Sequence, residues 1–425
     1  MEKIIILSFY YPPCNLTASQ RPFYWAENLH QYDYFPIVIT RRWDHKIGDF
    51  FDIAKATPKE IVIDENQYRK VIYLPYIPSL KDKIITKFGS NRMILLRKML
   101  SFFELFIQNF ISFFIPYNNI YKQARQLLSE DKSIKHVLIT ANPFQLFFFG
   151  YLLKKEFPHI NWIGDYRDEW TTSPKYEINN SSTILKYLEK KSEKKWLSNA
   201  SFFTYVNESY IHRIKSFLNI RGETIYNGFV ELNQQATKKS NDEILITFSG
   251  TLYNHQPIEE FAKGVILFHK KYPTAKIKIL YLGADLMVGI KNKILSNYPD
   301  TPVVEVTKRI DRVLANEILH QTDLFLMHPI IGMEGVVPTK VFDYMPYQKP
   351  IILCPNDHGA IEHTLNDTGL GIIIDQAEEV LQALEKIYLH KQNNTDFPIK
   401  INHLAIQKYS RSAQLKLLVE LINQE

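Results

Sequence analysis

Cysteine is nearly absent: the 425 residues hold two, Cys14 and Cys354, far apart in the chain. That excludes a disulfide framework or a cysteine metal cluster and fits a reduced, cytoplasmic compartment. Glycine is sparse as well, at 15 residues. Neither G-x-x-x-x-G-K-[ST] nor G-x-G-x-x-G occurs, which removes a P-loop nucleotidase and the dinucleotide fingerprint. H-E-x-x-H and G-x-S-x-G are missing too, against a zinc protease or an α/β-hydrolase. The 13 histidines show no metal-ligand spacing, and isolated ones such as His212 read as surface residues. No apolar run approaches the roughly 20 residues of a spanning helix; the longest are 105–116 and 144–153. The opening MEKIIILSFYYPP carries Glu2 ahead of its apolar run and no small-residue cleavage site after it. It reads as a first strand, not a signal peptide.

What is present is globular, with 45% hydrophobic and 23% charged residues and a high aromatic share of 13%. A chain of this length is expected to form two domains of about 200 residues each. The net charge of +6 and pI near 8.9 fit either ordinary solubility or anionic partners such as nucleotides and phospholipid surfaces. The basic residues are scattered and no nucleic-acid motif occurs, so nucleic acid is not an expected partner.

Apolar runs alternate with segments of helical period along the whole chain. Strands are expected at Ile4–Phe9, Pro36–Thr40, Val71–Leu74, Val137–Thr140, Trp162–Asp165 and Phe202–Tyr205, with helices near 18–32, 92–113, 117–130, 144–155, 183–198 and 207–217. After a polar linker in NQQATKKSNDE, a second series starts at Ile244–Ser249 and continues through Ala275–Tyr281, Val303–Val306, Leu324–Met327, Ile351–Cys354 and Gly371–Ile374, with helices between. One amphipathic helix, 402–424, closes the chain. This βα alternation predicts an α/β protein of two Rossmann-like parallel sheets: residues 1–226, residues 227–403, and a helix over 404–425 returning to the first domain. Two open sheets imply a cleft lined by the loops after Phe9, Thr140, Asp165, Ser249, Val306, Met327 and Cys354.

One of those loops, GMEGVVPTKVFDYMPYQKPIILCP, packs Glu334, Gly335, Pro338, Lys340 and Asp343 into a dozen residues. Pro338 suits the first turn of a helix, where its missing N–H is no loss. The amides of Gly335–Thr339, Val337 among them, would then form an anion site, with Lys340 adding charge and Asp343 one turn deeper to accept hydroxyls. A capped surface helix with a Lys340–Asp343 ion pair explains the same residues.

The loop resembles the donor-binding region of the GT-B glycosyltransferases, family 4 in particular, where an acid, a glycine, a proline and a helix with a second acid precede G-x-P-[IV]. FSGTLYNHQPIEEFAKGV is similar to that family's first C-domain strand and turn, TIYNGF to its hinge, and NWIGDYRDEW to a D-F-R-D-x-W stretch. SFYYPPCNLTASQRPFYWAENLHQ is similar to its N-terminal loop and helix. The chain also departs from the pattern: Glu334 and Asp343 are nine apart, NLTASQ replaces a glycine pair, and Tyr253, Asn254 and His255 replace an Arg/Lys pair.

The resemblance implies a GT-B enzyme that transfers a sugar, with retention, from a nucleotide sugar to a hydroxyl of a saccharide acceptor, without metal or other cofactor. It implies a donor site of Gly250, Thr251, His255, Glu334, Gly335, Val337, Pro338, Thr339 and Asp343, with the diphosphate neutralised by Lys340, Arg21 or Lys308–Arg309. Asp165, Arg167 and Asp168 follow a buried strand, where an acid could take the acceptor's proton; an Arg167–Asp168 ion pair fixing the loop is the alternative. Asn142 and Ser19 are candidate acceptor contacts, Ser19 also a candidate helix cap. The aromatic stretch 92–116, flanked by Lys and Arg, reads either as a buried helix or as an interfacial one at an anionic lipid surface. In the latter case the acceptor is a lipid-linked saccharide of surface-polysaccharide assembly and the protein is peripheral at the inner face of the cytoplasmic membrane. An epimerase of the same fold, or a catalytically silent nucleotide-sugar-binding or scaffold protein, fits the same residues.

Overall fold

The computed structural model describes residues 1–44, 50–89, 92–108, 110–173, 183–232, 243–299, 301, 303–393, 395 and 397–425. It divides into two compact units, Met1–Tyr226 with Leu415–Glu425, and Asn227–Gln414. Nearly all of the expected linker, 233–242, lies outside the described residues.

The first unit is built on the apolar run at the start of the chain. Ile4 through Leu7 are fully buried, because a parallel strand is covered on both faces. Alternate side chains go to opposite sides: Ile5 and Leu7 join the helices Asn118–Glu130 and Leu146–Glu156 in one core, while Ile4 and Ile6 face Trp25, Leu415, Leu418 and Ile422 in another. Among the described residues the sheet has eight strands. Their order is Val62–Glu65, Lys70–Leu74, Tyr34–Arg41, Glu2–Ser8, His136–Thr140, Asn161–Tyr166, Phe202–Tyr205, Gly222–Thr224. All neighbours are parallel except Val62–Glu65 against Lys70–Leu74.

The second unit has six strands among the described residues, in the order Val304–Val306, Ile277–Leu282, Ile244–Ser249, Leu324–Met327, Ile351–Leu353, Gly371–Ile373. Every pairing is parallel. Strand order reverses between Ile244–Ser249 and Leu324–Met327, where an open α/β sheet leaves a crevice at its carboxyl edge.

Several elements differ from expectation. The closing helix is two helices, His403–Lys408 and Arg411–Ile422. The break arises because Tyr409 O accepts from Phe229 N (3.1 Å) and Arg411 N donates to Phe229 O (2.7 Å), a strand-like pairing no continuous helix could make. Leu404, within the expected amphipathic helix, is 87% exposed, and the second unit runs on to Gln414. The helix placed at 92–113 spans Ile94–Gln108. Two helices escaped the sequence reading: Leu80–Phe88, opened by a capping box of Ser79 and Asp82, and Ala360–Thr368.

Candidate functional site

At the switch point of the second sheet, Gly250 follows the strand Ile244–Ser249 with φ +90° and donates its amide to Leu282 O (2.8 Å). A β-carbon there would lie in ordinary contact with Lys340 Cε, at 3.4 Å, so it is the positive φ that favours glycine at this strand end. Lys340 Nζ donates to Thr251 O and sits 4.4 Å from the centre of the Phe248 ring. Gly283, at φ +73°, ends the neighbouring strand; a β-carbon on it would be 3.8 Å from Arg309 Cα and 4.0 Å from Gly250 Cα. Its amide donates to Thr307 Oγ1 (2.8 Å). Lys340, the Gly250 and Gly283 turns and the backbone of Arg309 therefore lie together at one edge, with both glycine amides already bonded within the protein.

Burial pushes the Lys340 ammonium down to about 7, with the Asp343 carboxylate acting the other way. Near neutral pH this group is poised, and an anion set against it would favour the charged form. Asp343 itself is exposed, three residues along the helix Thr339–Tyr344. Lys308 and Arg309 are exposed, and His255 is exposed with its ring stacked against Tyr253 (centroids 5.8 Å apart).

Behind this edge lies a buried polar group that the sequence reading missed. His328, fully buried, donates from Nδ1 to Cys354 O (2.7 Å), so Nε2 accepts from the Tyr281 hydroxyl (3.2 Å). Burial holds the imidazole down at about 4, hence neutral. Gln256 Nε2 donates to His328 O (2.7 Å), its Oε1 accepts from Tyr253 N (3.0 Å), and Lys293 Nζ donates to the carbonyls of Asn254 (2.8 Å) and Gln256 (2.7 Å). These bonds brace the turn from Thr251 to Gln256. The available signal was position: His328 directly follows the buried run LFLM.

The 332–339 loop is only partly as expected. Pro338 stands just before the helix rather than in its first turn, and the helix has six residues. Pro338 has no amide, and Val336 N is already bonded to Met333 O (2.9 Å), so Gly335–Thr339 is not an unbroken row of donors. Val337 is buried, Thr339 half-buried and Gly335 half-buried. Glu334 is exposed; its Oε1 accepts from Gly332 N (2.8 Å) and its carbonyl from Ala360 N (2.6 Å). A β-carbon on Gly359 would meet that carbonyl at 2.2 Å, so the loop can close on the helix Ala360–Thr368 only over a glycine.

In the first unit Thr40, Ser8, Thr140, Asp165 and Thr204 are register partners across five adjacent strands, a buried polar row at the carboxyl edge. Asp165, fully buried, accepts at Oδ1 from Arg21 Nη2 (2.8 Å) and Thr204 Oγ1 (2.7 Å). Arg21, 4% exposed, gives Nη1 to the carbonyls of Ile225 (2.7 Å) and Tyr226 (2.8 Å). This corrects two expectations: Arg21 is consumed inside its own unit rather than offered to a diphosphate, and Asp165 is a buried anchor rather than an accessible acid. Among the described residues Asp165 pairs with Arg21, Glu169 with Arg213 (3.9 Å), and no ion pair joins Arg167 to Asp168. Ser19 is corrected as well: it is buried, the residue before the helix is Leu16, and Ser19 Oγ donates to Cys14 O (2.7 Å) and Leu16 O (2.8 Å).

Asp168 and Asn142 are exposed beyond adjacent strands, and Arg167 is half-buried. The loop carrying Arg167 and Asp168 is held from beneath by Glu193, a second group the sequence reading missed. Its carboxylate accepts from the Tyr166 hydroxyl (2.8 Å), from Thr171 N (3.1 Å) and from Thr171 Oγ1. Burial pushes this carboxyl up to about 7. Among the described residues no three His, Cys, Asp or Glu side chains are grouped to hold a metal ion.

No protein-family model and no curated protein matches the chain. Solved structures do. A sucrose-phosphate synthase from Thermosynechococcus elongatus superposes with a TM-score of 0.59 at 12% identity, covering 100% of this chain and 99% of that one. An α,α-trehalose-phosphate synthase (UDP-forming) from Burkholderia vietnamiensis gives 0.61 at 10% identity over 100% of both chains. Anabaena Alr3699/HepE, in complex with UDP, gives 0.59 at 10% identity, again over 100% of both. The fold is that of the GT-B glycosyltransferase structures, two parallel-sheet domains over the whole chain.

Proposed function

We propose that the protein is a glycosyltransferase of the family 4 type, moving a sugar from a nucleotide-sugar donor to a hydroxyl of a saccharide acceptor with retention of configuration. The observation that carries this reading is the grouping of Lys340, Gly250, Gly283 and Arg309 at the carboxyl edge of the second sheet, beside its switch point. In it the donor diphosphate lies against the Gly250 and Gly283 turns, between Lys340 and Arg309. Asp343 and Glu334 are both exposed on the same loop and helix; Asp343 accepts hydrogen bonds from the ribose hydroxyls and Glu334 from a hydroxyl of the sugar. As the acceptor oxygen bonds to the anomeric carbon, the bond from that carbon to the phosphate oxygen breaks. Lys340 then meets the charge growing on the leaving nucleoside diphosphate. Asp168 is the exposed acid for the acceptor's proton, in place of the buried Asp165. The UDP and UDP-glucose held by the Anabaena protein support a uridine donor among the choices.

The acceptor in this reading is a lipid-linked saccharide of surface-polysaccharide assembly, which brings the enzyme to the membrane as a peripheral protein. No helix of the described residues is long and apolar enough to cross a membrane.

Calorimetry with UDP, GDP, ADP, CMP and dTDP tests the donor site. One nucleotide is expected to bind, and Lys340→Gln to weaken it about ten- to hundredfold, the worth of a charge-assisted hydrogen bond. Because the ammonium deprotonates near pH 7, affinity should fall as pH rises from about 6 to 9, and Lys340→Arg should flatten that slope. Binding indifferent to Lys340→Gln, or no binding at all, would sink the reading.

A further inference from the structure

We infer that the helical face formed by Leu80–Phe88, Ile94–Gln108 and the turn Ser112–Phe114 is a docking surface for an anionic lipid bilayer. The inference rests on the lipid-acceptor reading for its purpose and on surface chemistry for its existence. Helix Ile94–Gln108 packs on helix Leu80–Phe88, yet it keeps large apolar groups in water. Leu95 is 79% exposed, Met99 59%, Phe103 55% and Phe113 68%, with Leu80 at 64% on the neighbouring helix. Scattered single exposures are ordinary; a contiguous apolar face of this kind is an interaction surface.

Charge decides what it meets. Residues 80–122 hold seven Lys or Arg and two acids, an excess of five in a chain whose whole excess is six. The positive groups stand at the apolar face: Lys83, Lys87, Arg92, Lys98 and Lys122 are all exposed. Lys87 Nζ lies 5.4 Å from the Phe88 ring centre and Lys122 Nζ 5.5 Å from that of Phe113. The two acids are turned inward. Asp82 accepts from the Tyr76 hydroxyl (2.7 Å) and Ser79 N (3.0 Å), and half-buried Glu104 is held by Ser79 and Lys81. Aromatic and aliphatic side chains flanked by outward lysines, with the carboxylates hidden, suit the headgroup region of an anionic leaflet. A second copy would set these outward lysines against their like.

Co-sedimentation of the whole protein with vesicles tests it, comparing phosphatidylcholine alone with phosphatidylcholine containing phosphatidylglycerol. Binding is expected only to the anionic vesicles and should weaken with salt. Phe103→Ser with Phe113→Ser, and separately Lys87→Glu with Lys98→Glu and Lys122→Glu, should each cut it at least about tenfold. Nucleotide affinity and Tm, measured on the same preparations, should stay at the parent values. Intact nucleotide binding with no sedimentation on either vesicle overturns the docking surface alone, and vesicle binding without nucleotide binding overturns the donor site alone. A dimer in sedimentation velocity that Phe103→Ser with Phe113→Ser dissolves would assign this face to self-association and overturn the lipid reading.

Discussion

The two units carry the same kind of parallel sheet and place charged groups at the same carboxyl edge, yet they use them in opposite ways. In the first, a cation and an acid neutralise each other in the interior: Arg21 and Asp165 are both buried, and Arg21 also holds the carbonyls of Ile225 and Tyr226. In the second, Lys340 lies over bare glycine backbone with a carbonyl as its partner, and Arg309 projects from the next turn. A buried pair is spent on the fold, whereas a desolvated cation with only a neutral carbonyl bonded to it is left near the point of deprotonation, where an opposing anion would favour the charged form. Position at the carboxyl edge of a strand is therefore not enough to make a charged residue functional.

The largest effect should come from breaking the spent pair. Asp165→Ala leaves the Arg21 guanidinium buried without its counter-charge, and should lower stability by about 3 to 5 kcal/mol in denaturant titration. Lys340→Gln, in contrast, removes a desolvated cation and should leave the midpoint unchanged or raise it. Equal losses from both variants would erase the distinction.

A smaller effect concerns Glu193 beneath the Arg167–Asp168 loop. Its carboxyl is raised from 4.5 to about 7 on folding, so the native state binds the proton more tightly than the unfolded chain. That contribution is complete below about pH 4.5 and is lost as pH rises through 7, on the order of 3 kcal/mol. Melting curves of Glu193→Gln should show a smaller fall in Tm between pH 5 and pH 8 than the parent; an unchanged slope would remove Glu193 from the account.

The smallest is steric. Gly250→Ala puts a β-carbon at φ +90° in ordinary contact with Lys340, costing about 1 to 2 kcal/mol of backbone strain and filling part of the turn against which the diphosphate is proposed to lie. Nucleotide affinity should drop several-fold with little change elsewhere. The same substitution at Gly289, also at positive φ but with open space around it, should cost stability alone and leave affinity intact.

Much of the architecture was legible in the chain because it is local. Runs such as IIIL and ILIT can only be strands covered on both faces, and their alternation with helical periods implies two parallel sheets. The loop carrying Glu334, Lys340 and Asp343 was likewise legible from its residue types and its place before a buried strand. What a one-dimensional reading could not supply was the partner of each charge. Arg21 and Asp165 are 144 residues apart, Lys340 and Thr251 are 89 apart, and His328 and Cys354 are 26 apart. Whether a charge is spent or kept depends on what the sheet brings within three ångströms of it. Strand order, a long-range property, decides that. The sequence determined the strands, the helices and the chemical inventory of each loop; only the tertiary structure decided that Asp165 would be an anchor and that Lys340 would remain available.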